Sequence, residues 1–145
     1  MPLDPSYKNL NRVSTERIKK LTANLTDEQM QTRVGEHWTV SIALAHLAFW
    51  DRRVIYLLDE TAKGGKLFVH EIDVIVNDLS LPLWAAILPR EAARLAVETS
   101  EELDKRLEDY PRDLLEEIYN KNTRWVIRAL HRNEHLDELD AALKK

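Results

Sequence analysis

The sequence predicts an all-α domain, a four-helix bundle with one long crossover between its second and third helices. Three observations lead there. Only three glycines and five prolines punctuate 145 residues in which Ala, Leu, Glu, Lys and Arg predominate, a composition that favours helix throughout. Apolar residues recur at helical spacing around residues 15–25, 92–107 and 125–143, and the run from Ile42 to Trp50 is apolar on every side. One connection, Gly65 to Leu88, is far longer than the others.

Thr15 to Leu25 is the body of the first helix, with Ile18, Leu21 and Leu25 on one stripe and Arg17, Lys19 and Lys20 turned outward. Thr26-Asp27-Glu28 starts a connection, or a short helical turn, that runs to Gly35. Ser41 is the expected cap of a second helix that reaches about Ala62 and stops at Gly64-Gly65. From Asp51 onward Arg52, Arg53 and Asp59 open its pattern, so this helix is expected to leave the core as it proceeds. The crossover carries Val74, Ile75, Val76, Leu79, Leu81, Leu83 and Trp84 around Asn77 and Asp78, and should pack across the bundle or against a partner. Its IDVIV segment admits a strand, with helix or irregular structure ahead because everything around it is helical.

Pro89 stands at the first position of a third helix, in which Ala92, Ala93, Ala96, Leu103 and Leu107 form a stripe ending near Asp109, before Pro111. After an acidic turn from Leu114 to Tyr119, the fourth helix is expected from about Lys121 to Leu143. Its core face is Trp125, Ala129, Leu136, Leu139 and Leu143.

A chain of this length reads as a single domain, residues 1–145, able to bury a core without staples. It contains no cysteine, so any sulfur chemistry needs a thiol from outside. Net charge is −4, with 21 basic residues interleaved among 25 acidic ones, which leaves nucleic-acid binding little electrostatic footing. The N-terminus lacks a signal-peptide pattern and no segment approaches the roughly 20 apolar residues of a membrane span, so a soluble cytoplasmic protein is expected.

His131 and His135 stand one helical turn apart, where Cβ atoms roughly 5–6 Å apart let two imidazoles reach one ion. A solvated face of a charged helix has the same spacing. At 100° per residue the pair lies at the edge of the core stripe, beside Arg124 and Arg128. His46 is alone within IALAHLAFW, where an unsatisfied imidazole would cost about 1–3 kcal/mol; a metal or a hydrogen bond to a carbonyl or carboxylate would satisfy it.

The segment GEHWTVSIALAHLAFWD resembles the signature of the DinB-like superfamily, in which a Trp-Ser/Thr-Val step opens the second helix and leads to Ala-His-Leu. The resemblance covers most of the chain, strongly at the second and fourth helices and loosely between them. It implies that Trp38, Thr39 and Val40 form the start of that helix and that His46, His131 and His135 bind a metal. The thiol-dependent maleylpyruvate isomerase branch, with ligands similar to His, Glu, His, is the nearest relative it suggests. Here the middle position is His131, and no second domain is expected after the bundle. The resemblance further implies an up-down-down-up bundle, a homodimer, and a low-molecular-weight thiol used to transfer to, or isomerise, an electrophilic small molecule.

Three nitrogen ligands leave a coordination position open, the arrangement of a catalytic site, and zinc or nickel suits imidazole. Activation of water, giving a metal-dependent hydrolase, is the alternative at the same site. Trp50, Trp125 and Arg124 are expected to flank the open position, with Arg124 suited to a carboxylate. Asn77, an amide within an apolar stretch, must bond to something and joins them as a substrate-binding candidate. No catalytic acid or base is assigned: Glu134 points about 100° away from His135, and His37 and His70 lie in connections without a paired ligand. A different class of reading is a non-catalytic dimeric bundle whose apolar crossover and tryptophans serve an interface.

Overall fold

The computed structural model describes residues 2–144. Those residues are mostly helical: α1 Ser6–Asn24, α2 Val40–Gly64, α3 Val76–Leu79, α4 Leu81–Ala85, α5 Pro89–Glu108, α6 Arg112–Lys121 and α7 Ala129–Leu143. A two-residue hairpin, β1 Arg33–Val34 and β2 Trp38–Thr39, pairs antiparallel with Arg33 opposite Thr39 and Val34 opposite Trp38. Gly35, at φ 68°, supplies the left-handed residue of its turn, a conformation that an L side chain rarely adopts. α2 packs most extensively on α5, α5 on α1, and α1 on α7. None of the described helices is long and apolar enough to cross a membrane.

α1 begins nine residues before the expected Thr15, because its buried face is mostly polar. Tyr7, Asn11, Ser14, Thr15, Ile18 and Thr22 follow the helical period, and a count of apolar positions sees only part of them. Asn11 shows what that polarity does. Its amide donates to the Val126 carbonyl at 2.9 Å, and its Oδ1 accepts from the Ala129 backbone N–H at 3.0 Å, which caps α7 from another helix.

The cap of α2 is Thr39, whose hydroxyl accepts from the Ile42 N–H at 3.2 Å. Ser41, the expected cap, sits in the first turn, and its buried hydroxyl finds no partner among the described residues. At the far end Gly65 takes the left-handed conformation, φ 68°, and its N–H returns to the Thr61 carbonyl.

The expectation that α2 leaves the core after Asp51 is overturned. Asp51 is 1% exposed, and Val54, Ile55, Leu57, Leu58 and Thr61 beyond it are buried. Its charge is neutralised inside the protein by Arg128 Nε at 2.8 Å and Arg132 Nε at 3.0 Å. Arg132, 0% exposed, also reaches Asp104 at 2.8 Å. Asp51, Asp104, Arg128 and Arg132, with Asn11, Ser14, Thr15 and Ser100, form a buried polar layer. One apolar cluster, with Tyr7, Leu57, Leu107, Ile118 and Val126, lies on one side of it. Another, with Ile18, Leu44, Leu47, Ala92, Ala96 and Leu136, lies on the other. Two carboxylates facing two guanidiniums cancel formally, which is what lets four charges be buried.

The last quarter also differs from expectation. The segment read as an acidic turn is α6, which buries Leu115 and Ile118 and turns its carboxylates outward. The single helix expected from Lys121 is interrupted: Asn122 is extended, and its side chain accepts from the Arg124 N–H at 3.0 Å. That local bond competes with helix continuation. A short 3₁₀ turn over Thr123–Trp125 follows, and α7 begins only at Ala129. Ala129, Leu136 and Leu139 are buried as expected, whereas Trp125 and Leu143 are only partly so.

IDVIV forms no strand. The crossover runs irregularly into α3 and α4, and it divides in its packing. Trp84 docks on Ile42 and Ala45, while Val74, Ile75, Leu79 and Leu83 stay exposed.

Candidate metal centre

His46 lies in the middle of α2, and the residue is 4% exposed because the hairpin and the crossover cover that side of the helix. Trp38 from β2 packs at 4.6 Å between ring centroids, Trp84 from α4 at 5.5 Å, and Trp50, one turn along α2, at 6.4 Å. His131 and His135 come from α7, each three residues after one of the buried arginines. Arg128 and Arg132 turn inward to Asp51, so the adjacent stripe of α7 that carries both histidines is rotated toward His46.

The Nε2 atoms converge. His46 Nε2 is 3.2 Å from that of His131 and 3.1 Å from that of His135, and the possible ligand atoms of all three lie within 4.8 Å of one another. Nitrogens each about 2.0–2.1 Å from a shared ion stand roughly 3–3.5 Å apart, so the spacing fits a divalent metal. Imidazoles alone do not satisfy it: each neutral ring has one proton, and the single in-plane lone pair of His46 Nε2 cannot serve two donors.

The far sides of the rings differ. His135 Nδ1 meets Glu138 Oε1 at 2.7 Å; a proton held there leaves the Nε2 lone pair free for a metal. His131 Nδ1 faces Arg128 Nη2 at 3.2 Å, and because a guanidinium only donates, Nδ1 accepts and the ring proton sits on Nε2. For the neutral ring to ligate through Nε2, that proton has to move to Nδ1 and the Arg128 donor has to turn away from it. His46 Nδ1 is buried without a partner among the described residues.

Burial pushes the His46 imidazole down to about 3, with the neighbouring His135 adding to the effect, Asn77 opposing it, and Arg128 lowering it further. Burial, then the positive charge of Arg128, pushes His131 down to about 2. Both rings are neutral at pH 7, the form that ligates metal.

The histidines open onto a cavity of ≈ 450 Å³. Trp50, Asn77, Arg124 and Trp125 all line it, so the structure brings the expected substrate-side residues to the same place. Trp50 Nε1 donates to Asn77 Oδ1 at 2.9 Å, which is the bond expected of an amide in this apolar stretch, half-buried in the fold. Arg124 is held by both oxygens of Glu134 at 2.9 Å, so that carboxylate is engaged as an ion-pair partner. His37 is exposed beside Glu36, and His70 lies next to Arg53.

Four contributors were not visible in the sequence. Trp38, read as part of the helix start, is also a wall of the site, and Glu138 has only its spacing of three from His135 to announce it. Arg128 was legible only as a neighbour of the histidine pair. Arg53 looked solvated, yet it lines the cavity with its guanidinium 4.7 Å from the Trp125 ring centroid. A larger groove of ≈ 770 Å³ runs along α1 past Val13, Arg17 and Leu21, but among the described residues only the three histidines form a ligating cluster.

Compared with known proteins, the chain matches no family model, no curated protein and no solved structure.

Proposed function

We propose that this chain is a metal-dependent small-molecule enzyme of the DinB-like type, with His46, His131 and His135 as the ligands of zinc or nickel. One observation carries the reading: His46 Nε2 stands at metal-sharing distance from the Nε2 of both His131 and His135, and the cluster opens onto a cavity that can admit a substrate. When bound, such a metal lowers the pKa of a coordinated water toward about 7 or holds a thiol as thiolate. With no cysteine in the chain, that thiol is a low-molecular-weight cosubstrate, and the reaction is transfer or isomerisation. Hydrolysis by activated water is the alternative at the same residues.

The chain's own groups have assigned parts in this reading. Glu138 fixes the tautomer of His135, and Arg128, tied to Asp51, sets the turn of α7 that carries His131. Trp38, Trp50 and Trp84 exclude water from the rear of the His46 ring, and Asn77 orients Trp50. The proposal takes α1, α2, α5 and α7 as an up-down-down-up bundle, α3 and α4 as its crossover, and the protein as a cytoplasmic homodimer acting on neither nucleic acid nor membrane. The order of helix contacts, α2 on α5, α5 on α1 and α1 on α7, supports that arrangement. The exposed Val74, Ile75, Leu79 and Leu83 favour a second reading, a binding module whose apolar crossover meets a partner.

Elemental analysis of protein purified without chelators or affinity metal columns separates the two. The enzyme reading expects about one zinc or nickel per chain, lost in His46→Ala and His131→Ala with helicity retained. Absence of bound metal after zinc and nickel are added at neutral pH overturns it in favour of the binding module.

A further inference from the structure

Nearly every arginine in this protein is answered by a carboxylate. Arg12 pairs with Glu108, Arg17 with Asp137 and Asp140, Arg90 with Asp27, Arg106 with Asp59 and Arg124 with Glu134. Among the described residues only Arg33 and Arg53 have no carboxylate within ion-pair distance. Arg33 is exposed beside the hairpin turn and donates to the Glu36 carbonyl. Arg53 is half-buried and lines the cavity of the three histidines.

The surroundings of Arg53 supply no ion pair: Glu71 and Asp73 line a second cavity that Arg53 also borders, together with Lys121, and neither reaches ion-pair distance of the guanidinium. Its Nε donates to His70 Nε2 at 3.4 Å and its Nη2 to the His70 carbonyl at 3.3 Å, while Nη1 has no partner among the described residues. The rings of Trp125 and Trp50, with centroids 4.7 and 6.0 Å from Cζ, hold the guanidinium in place by cation–π attraction, but they supply no negative charge. No aspartate or glutamate lines the cavity of the three histidines. Burial and the nearby charge of Arg128 both work against the charged form of Arg53, and no ion-pair partner offsets them in the free protein.

We propose that Arg53 is the anion-recognition residue of this cavity and that the ligand it takes is a small carboxylate with an apolar or aromatic body. A carboxylate suits the site better than a phosphate. One free guanidinium edge matches two coplanar oxygens and a single negative charge. A phosphate dianion would call on further donors, and those are engaged: Arg124 by both oxygens of Glu134, and Arg128 by Asp51, the Arg124 carbonyl and His131. The indoles of Trp50 and Trp125 give the apolar body its surface. Naming this ligand as substrate rests on the metal-site reading; its binding to Arg53 does not.

The test is a titration of the full chain, metal-free and again after zinc loading, with benzoate, benzamide and inorganic phosphate, read by tryptophan fluorescence and calorimetry. Benzoate binds the wild type; Arg53→Gln weakens it about 10- to 100-fold, Arg53→Lys recovers part of the loss, and Arg52→Gln, at an exposed neighbour outside the cavity, changes it little. Benzamide and phosphate bind far more weakly than benzoate. Arg53→Met serves as the folding control and should melt no lower than wild type, since it removes an unpaired charge. Benzoate affinity unchanged in Arg53→Gln, no benzoate binding to wild type, or phosphate binding in its place overturns the proposal. A protein that takes up no zinc yet binds benzoate through Arg53 sinks the metal reading and leaves this one standing.

Discussion

Arg128 joins Asp51 to His131: its Nε donates to the buried carboxylate at 2.8 Å, and its Nη2 donates to the imidazole Nδ1 at 3.2 Å. The charge layer that divides the core and the candidate metal ligands therefore share a side chain. α7 is rotated into place by ion pairs, and the rotation that satisfies Arg128 and Arg132 is the one that presents His131 and His135 to His46.

Asp51→Asn tests that coupling. Removing one member of a buried charge cluster leaves the opposite charges uncompensated, at a cost of about 3–5 kcal/mol. Urea unfolding should show the loss, and at concentrations where the variant stays folded its zinc affinity should fall as well. Full zinc affinity in a destabilised Asp51→Asn protein would separate the two roles.

Glu138 is expected to govern metal affinity without governing the fold. Its Oε1 accepts from His135 Nδ1 at 2.7 Å on an exposed face of α7. Glu138→Gln should weaken zinc binding about 10- to 100-fold in competition with a chromophoric chelator, with the melting temperature of the metal-free protein nearly unchanged.

Acid should destabilise the metal-free protein earlier than its carboxylates require. His46 and His131 have pKa values of about 3 and 2 when folded, against 6.5 as the ordinary value. The unfolded chain thus binds more protons below pH 6.5, so the stability these rings contribute is complete above that pH and declines as pH falls toward the folded values. The slope is cleanest between about pH 6.5 and 5, before carboxylates titrate. Urea midpoints across that window should fall in wild type and fall less in His131→Ala.

The true cap of α2 can be identified by a pair of substitutions. Thr39→Ala removes the acceptor of the Ile42 N–H and should cost about 1 kcal/mol. Ser41→Ala removes a buried hydroxyl that has no partner among the described residues, and should be neutral or stabilising. Equal losses in both variants would contradict the assignment.

Particular residues show how far the sequence could be read. The span of α5 and its stripe from Ala92 to Leu107 followed from helical spacing, because there the buried face is apolar and the outer face charged. The same rule misjudged Asp51 and was silent on the burial of Arg128 and Arg132, since a period of hydrophobicity cannot distinguish a charge in water from a charge paired inside the core. It also joined α6 to α7, because the helix is interrupted by one side chain, that of Asn122, bonding to its own neighbourhood.

By itself the sequence determined the helical class, the burial of the first half of α2 and the three histidines as a set worth testing, because each depends on residue type and local period. The tertiary structure alone decided that those histidines meet. Residues 85 and more positions apart are brought within 3.2 Å by the rotation of α7, which is set by charges paired across the core. It likewise decided that Arg53 faces the cavity and lacks a carboxylate, since whether a charge is answered depends on neighbours that no local pattern names.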